Sequence, residues 1–282
     1  MRLSVFTVVT PDLTPEELGA AAREAGVEGI EWRYKDVPAD ALEEEPSFWR
    51  NNRCSIPEQG GPDVCERFKR AADGHGLISV SVTPYLKCGD LEGTERVLAT
   101  ARQIGAGMIR LGVAGYDRSR PFGELYEEQR RYLAEAEVLC RQYGVKGLVE
   151  THHMTIAPSA SAARRLVDSC NPDWIGVLCD PGNMVREGYE NYKMGLELLG
   201  PYLAHVHMKN GSWTQSGTDE KGAAIWNAAW VPMKQGMVSW PQLLEDLKAV
   251  GYDGWLGIED FSKERGTRDM LKQWASYIGG LL

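Results

Sequence analysis

No apolar run in the chain approaches the ~18 residues that a membrane-crossing helix needs, which excludes a helical span. Clusters of lysine and arginine are also missing, and with 40 acidic against 31 basic residues the net charge is -9. A broad nucleic-acid surface needs clustered cations to displace counterions, so nucleic acid is excluded as a partner and a small ligand is expected. The six cysteines (Cys54, Cys65, Cys88, Cys140, Cys170 and Cys179) lack the paired spacing of a zinc knuckle or a disulfide scaffold. They read as reduced thiols, small core or surface residues, in a cytoplasmic protein. The turn after the first strand, TVVTPDLTPEE, has no glycine-rich phosphate loop, so a nucleotide site of the usual kind has no support. Nor does the N-terminus read as a leader: acids follow its short apolar run at once, with no small-residue cleavage site.

What the chain does have is an alternation of strand-like and helix-like segments along its whole length. Apolar runs at 3–9, 29–34, 77–84, 108–113, 146–152, 175–180, 203–209 and 255–260 predict eight strands. The first helical stretch, TPEELGAAAREAG, carries its own signals. Thr14 is an N-cap, Pro15 occupies the first helical position, Glu17 completes a capping box and Gly26 stops the helix. Similar signals frame 89–105, 123–144 and 239–251. Eight such units predict an α/β fold, a single (β/α)8 TIM barrel over residues 1–282, because right-handed crossovers align the strands and closure removes the sheet edges. A doubly wound open sheet is the alternative. Two connections, 35–61 and 210–238, exceed the usual few residues, and both follow strand C-termini, where barrels build active sites.

The run IGVLCDPGNMVREG poses a question, since an apolar strand stops abruptly on Asp180. An acid there is either a turn residue or a ligand. The last four strands share this feature: Glu150, Asp180, His207 and Glu259 each stand near a strand's C-terminal end. In a barrel those ends converge on one mouth. Two Glu, one Asp and one His offer oxygen and nitrogen donors for one divalent cation, Mn²⁺ first, with Mg²⁺, Co²⁺, Zn²⁺ or Fe²⁺ as alternatives. Without a cation the three carboxylates would repel one another. His205 shares parity with His207, which places it one layer deeper, behind the ligands.

These four residues, with VETHH, CDPGNMVREGYENYKMGLELLGPYLAHVHMKN and GMVSWPQLLEDLKAVGYDGWLGIED, resemble the xylose isomerase-like barrels. The resemblance is to the sugar phosphate isomerase/epimerase superfamily, which includes ketose 3-epimerases and inosose isomerases and dehydratases. It implies that Glu150, Asp180, His207 and Glu259 hold one metal ion, commonly Mn²⁺, and that the two glutamates also move protons. Two positions depart from the ketose 3-epimerases: Asn183 stands where they carry a substrate-holding His, and Lys209 replaces a neutral residue beyond the His ligand. Endonuclease IV shares the fold, but its additional zinc ligands and basic surface are missing here.

A metal between two carboxylates suits proton transfer next to a carbonyl, with Glu150 and Glu259 as base and acid and an enediolate as intermediate. Returning the proton to the other face is epimerisation, returning it to the neighbouring carbon is isomerisation, and loss of a β substituent is elimination. Candidate substrate contacts are His152, Asn183, Lys209, Arg110, Glu31, Arg33 and Trp213, although internal ion pairs are an equal reading for Arg110, Glu31 and Arg33. Trp226 and Trp230 share the loop of Trp213, which is expected to cover the mouth. Three classes follow: a metal-dependent isomerase or epimerase of a sugar, keto-sugar or cyclitol; a lyase, like an inosose dehydratase or a 3-oxo-C-glycoside deglycosidase subunit; and a noncatalytic sugar-binding barrel. The partners expected are a small sugar, and either a homo-oligomer or a small partner subunit.

Overall fold

In the computed structural model, which describes residues Met1–Leu282, strands buried on both faces form the inner wall and helices cover them. The first half contains β1 (Arg2–Phe6), α1 (Pro15–Ala25), β2 (Gly29–Tyr34), β3 (Ser55–Ile56), α2 (Pro62–Asp73), β4 (Ile78–Thr83), α3 (Leu91–Ile104), β5 (Met108–Arg110) and α4 (Phe122–Tyr143). The second half begins with β6 (Lys146–Glu150), α5 (Ala160–Val167), β7 (Ile175–Cys179), α6 (Pro181–Arg186), α7 (Tyr192–Leu199) and β8 (Leu203–Met208). It ends with β9 (Gly211–Thr218), β10 (Ala224–Trp230), α8 (Trp240–Ala249), β11 (Trp255–Ile258) and α9 (Thr267–Gly279).

Eight strands run in parallel around the ring β1, β2, β4, β5, β6, β7, β8, β11. Closure comes where β1 pairs with both neighbours, Ser4 opposite Gly29 on one side and Leu3 opposite Leu256 on the other. This is a (β/α)8 barrel, and every expected strand is a stave of it. The first is shorter than its apolar run, because Thr7–Val9 turns into a short 3₁₀ segment. Local signals operate as the sequence indicates. The Thr14 hydroxyl accepts from the Glu17 amide at 3.3 Å, the Glu17 carboxylate accepts from the Thr14 amide at 2.8 Å, and Gly26 ends α1 at φ +81°. Alternation along β2 sends Trp32 outward, edge-on to Phe68 of α2, and Glu31 and Arg33 inward.

The long connections contain structure of their own. Within 35–61, Ser55 and Ile56 add the short β3 beside Arg33 and Tyr34. Within 210–238, β9 and β10 form an antiparallel hairpin instead of an irregular loop. The signal for it was present: Ser, Thr and aromatic residues flank TDEKG, in which the Asp219 carboxylate accepts from the amides of Lys221 and Ala223, and Gly222 takes φ +81°. No helix is long and apolar enough to cross a membrane. All six cysteines are free.

Candidate metal centre

The four strand-end residues reach one point by four local routes. Glu150 is the last residue of β6, His207 lies within β8 next to its end, and Asp180 and Glu259 directly follow β7 and β11. Asp180 answers the question its position raises by serving both ways. One oxygen caps α6, accepting from the Asn183 amide at 2.9 Å, while the other turns into the barrel mouth. The sharp turn into α6 requires Gly182, because a Cβ there would stand 2.5 Å from the Lys209 carbonyl oxygen.

One ligand atom from each of Glu150, Asp180, His207 and Glu259 lies within 4.8 Å of all the others. A cation with bonds of about 2.1 Å spans about 4.2 Å between opposed ligands, so the spacing needs only small side-chain adjustment. The orientation of His207 makes the stronger test. Its Nε2 donates to Glu31 at 3.0 Å, which leaves Nδ1 facing Glu150 at 3.6 Å, Asp180 at 3.8 Å and Glu259 at 3.6 Å. That Nδ1 is buried and has no hydrogen-bond partner. A buried nitrogen unpartnered among three carboxylates is costly unless a cation joins them. The residues therefore fit a divalent metal.

Glu31 orients the imidazole from below. It is fully buried and accepts from His207, from His205 Nε2 at 2.7 Å and from the Thr83 hydroxyl at 2.6 Å. A carboxylate behind a ligating imidazole fixes its tautomer and raises its basicity. Burial alone would raise the Glu31 carboxyl, but His207 and His205 hold it well below the usual carboxylate range. Burial likewise opposes the charge on Glu150, where Arg110 and His207 prevail and keep the carboxyl low. At Glu259 burial wins over Lys209 and His207, and the carboxyl is pushed up to about 7.

A cavity of about 400 Å³ opens above the cluster. Of the expected contacts, Arg110, His152, Asn183 and Lys209 line it with Glu150 and Glu259. Lys209 pairs with Asp180 at 2.8 Å and with Glu259 still more closely. Asn183 is fully buried, and its amide donates to Asp180 at 2.9 Å and Glu150 at 3.3 Å, so it braces two ligands as well as touching the cavity. Arg110 donates to Glu150 at 2.8 Å.

Three expected contacts lie elsewhere. Glu31 is beneath the cluster; Arg33 donates to the Ser55 hydroxyl and the Trp49 carbonyl; Trp213 directs its indole N–H to the Val185 carbonyl at 2.8 Å. None of them lines the cavity: inward parity does not say how high in the barrel Glu31 and Arg33 end, and a place in the long loop does not say which way Trp213 turns. Of the loop's other tryptophans, Trp230 lines the cavity, whereas Trp226 is 55% exposed on the hairpin. The sequence reading missed Trp49, Tyr85, His153 and Phe261 on the wall, although Tyr85, His153 and Phe261 each directly follow an expected strand, at 77–84, 146–152 and 255–260.

Comparison with known proteins bears on the fold and the family. The MocC rhizopine catabolism protein of Rhizobium meliloti is 28% identical over 261 residues, which cover 82% of this chain and 79% of that protein. Inosose dehydratase of Lacticaseibacillus casei is 27% identical over 128 residues, 42% of this chain, and the alignment spans only 41% of the dehydratase. The solved structure of IolI protein with a bound zinc atom has a TM-score of 0.71 at 17% identity, covering 99% of this chain and 96% of that one, a likeness of fold. The model of the xylose isomerase-like TIM barrel matches residues 20–277. Since that match runs from α1 into α9 and includes all four strands that end in the cluster, the chain belongs to the xylose isomerase-like TIM barrel family.

Proposed function

We propose that the chain, acting as one domain over residues 1–282, is a divalent-metal-dependent isomerase or epimerase of a sugar, keto-sugar or cyclitol. The observation that carries the reading is the unpartnered Nδ1 of His207 among three buried carboxylates at the floor of a cavity. The family includes sugar epimerases and dehydratases, which supports an enzyme of this kind. Glu150, Asp180, His207 and Glu259 would hold the ion, with Mn²⁺ the first candidate. When bound, it polarises a carbonyl and stabilises negative charge on that oxygen.

The protein's own side chains do the remaining work. Glu150 removes the proton from the carbon beside the carbonyl, and the electron pair moves into an enediolate. Arg110 keeps Glu150 ionised and aimed. Glu259, on the other side of the cluster, returns a proton to the opposite face or to the neighbouring carbon, and Lys209 holds its carboxylate in place. His152 reaches the cavity as a contact for substrate hydroxyls. The free cysteines fit a reducing cytoplasm.

Elimination is the second reading, favoured by the partial match to inosose dehydratase. There the same enediolate expels a β substituent. One experiment addresses both: keto-sugars and inososes are incubated with Mn²⁺-loaded protein in D₂O and followed by mass spectrometry. Gain of one deuterium beside the carbonyl supports proton transfer, and loss of water supports the lyase. Glu150→Gln and Glu259→Gln should each lower turnover by about 10²- to 10⁴-fold. Full activity in either variant removes the two-carboxylate mechanism. A sugar that binds with neither outcome in the wild type makes the barrel a binding protein.

A further inference from the structure

We infer that the substrate this cavity accepts is a neutral, unphosphorylated sugar or cyclitol ring, and the inference rests on reading the cavity as the substrate site. Both cations on the wall are already engaged. Arg110 donates from Nη1 to Glu150, and from Nη2 and Nε to the Pro84 carbonyl at 2.8 and 3.3 Å. Lys209 lies between Asp180 and Glu259. The carboxylates of the floor hold both of them, Glu150 pairing with Arg110, and Asp180 and Glu259 with Lys209. A phosphate dianion would have to compete with these carboxylates for either cation, or draw in a more distant arginine, to offset its lost hydration.

The walls above the floor point the same way. The terminal phosphate of a ketohexose 6-phosphate is carried several bonds from the carbonyl, so a carbonyl placed at the floor puts that phosphate against the rest of the wall. Much of the remaining lining is apolar or aromatic: Trp49, Tyr85, Leu86, Val113, Trp230 and Phe261. Trp49, 55% exposed, stacks on half-buried Phe261 at 5.2 Å between ring centroids, so an aromatic surface borders the opening. Aromatic faces suit the C–H faces of a sugar ring and bring no positive charge to a phosphate. The His153 imidazole on this wall is held uncharged, pushed down to about 4 by burial and then by His152 and Arg186. Two more arginines approach but do not line the cavity: Arg33 stands over the Tyr85 ring at 5.5 Å and Arg186 over the Trp230 ring at 4.1 Å. Neither has a carboxylate partner, so these are the cations that a phosphate would have to recruit, Arg186 by drawing it off the Trp230 ring.

The test is a binding comparison on metal-loaded protein dialysed free of excess metal. The probes are matched pairs of ketohexoses and their 6-phosphates, with an inosose and inorganic phosphate alongside, and the signal is tryptophan fluorescence from Trp49 and Trp230. The free member of at least one pair, or the inosose, should bind roughly tenfold or more tightly than any phosphate ester. Millimolar inorganic phosphate should not compete. Trp230→Ala should weaken the free sugar, and Arg186→Ala should change neither probe. Equal or tighter binding of a phosphate ester, above all one lost in Arg186→Ala, overturns the inference, as does a panel in which no free sugar binds. Free sugar that binds without deuterium uptake leaves this inference standing and sinks the proton-transfer reading. Deuterium uptake confined to phosphorylated sugars does the reverse.

Discussion

Replacing Glu31 by glutamine separates two roles for a buried carboxylate. Glu31 was a candidate substrate contact by parity, whereas in the structure it takes donors from His205, His207 and Thr83 beneath the cluster. The glutamine amide keeps one acceptor oxygen and turns an N–H₂ toward an imidazole. His205 can adapt, since its Nδ1 lies 3.3 Å from the Trp255 carbonyl and a tautomer switch lets Nε2 accept from the new amide. His207 cannot adapt without cost, because its Nδ1 must keep a free lone pair for the ion. The fold should therefore survive with a loss of about 1 to 2 kcal/mol, the scale of one weakened buried hydrogen bond. Metal affinity should fall about 10- to 100-fold, the usual cost of losing an outer carboxylate, or about 1.4 to 2.8 kcal/mol. Calorimetric titration of apo wild type and Glu31→Gln with Mn²⁺ measures the difference, and circular dichroism checks the fold. A folded variant with unchanged Mn²⁺ affinity and a raised KM would refute the argument and return Glu31 to the substrate.

Removing the metal should destabilise the protein, since an ion at 100 times its Kd contributes about 2.7 kcal/mol. Chelation should thus lower Tm by roughly 5 °C or more, reversed by Mn²⁺, and a Tm indifferent to both treatments contradicts a tight site. Gly182→Ala forces a Cβ against the Lys209 carbonyl, so it should cost about 1 to 3 kcal/mol and weaken metal binding; denaturant unfolding with Mn²⁺ titration would show a neutral outcome if α6 can shift freely. Burial pushes the thiols of Cys140 and Cys179 up to about 12, and only half-buried Cys88 is partly accessible, so native protein should react quickly with no more than one equivalent of a disulfide-exchange reagent. Fast reaction of three or more thiols would mean that the barrel opens far more readily than its packing implies.

What the sequence determined by itself was the set of features encoded in neighbouring residues. Eight apolar runs at strand spacing, the box made by Thr14 and Glu17 with the stop at Gly26, and a polar residue near the end of each of the last four strands can all be read locally, because the interactions that express them span a few positions. Barrel closure then follows from the handedness of the crossovers. Tertiary structure decided the rest, since it depends on side-chain rotation and on contacts between distant segments. Glu31 meets His207 across 176 positions, and that meeting selects Nδ1 as the atom facing the carboxylates. Arg33 and Trp213 point inward or toward the mouth by pattern but end on backbone carbonyls away from the cavity. Lys209 joins two acids, one of them 50 residues away, and Asn183 bridges two strand ends. Periodicity places a side chain on a face of its own strand, and only the assembled ring fixes its height, its rotamer and which charge it meets.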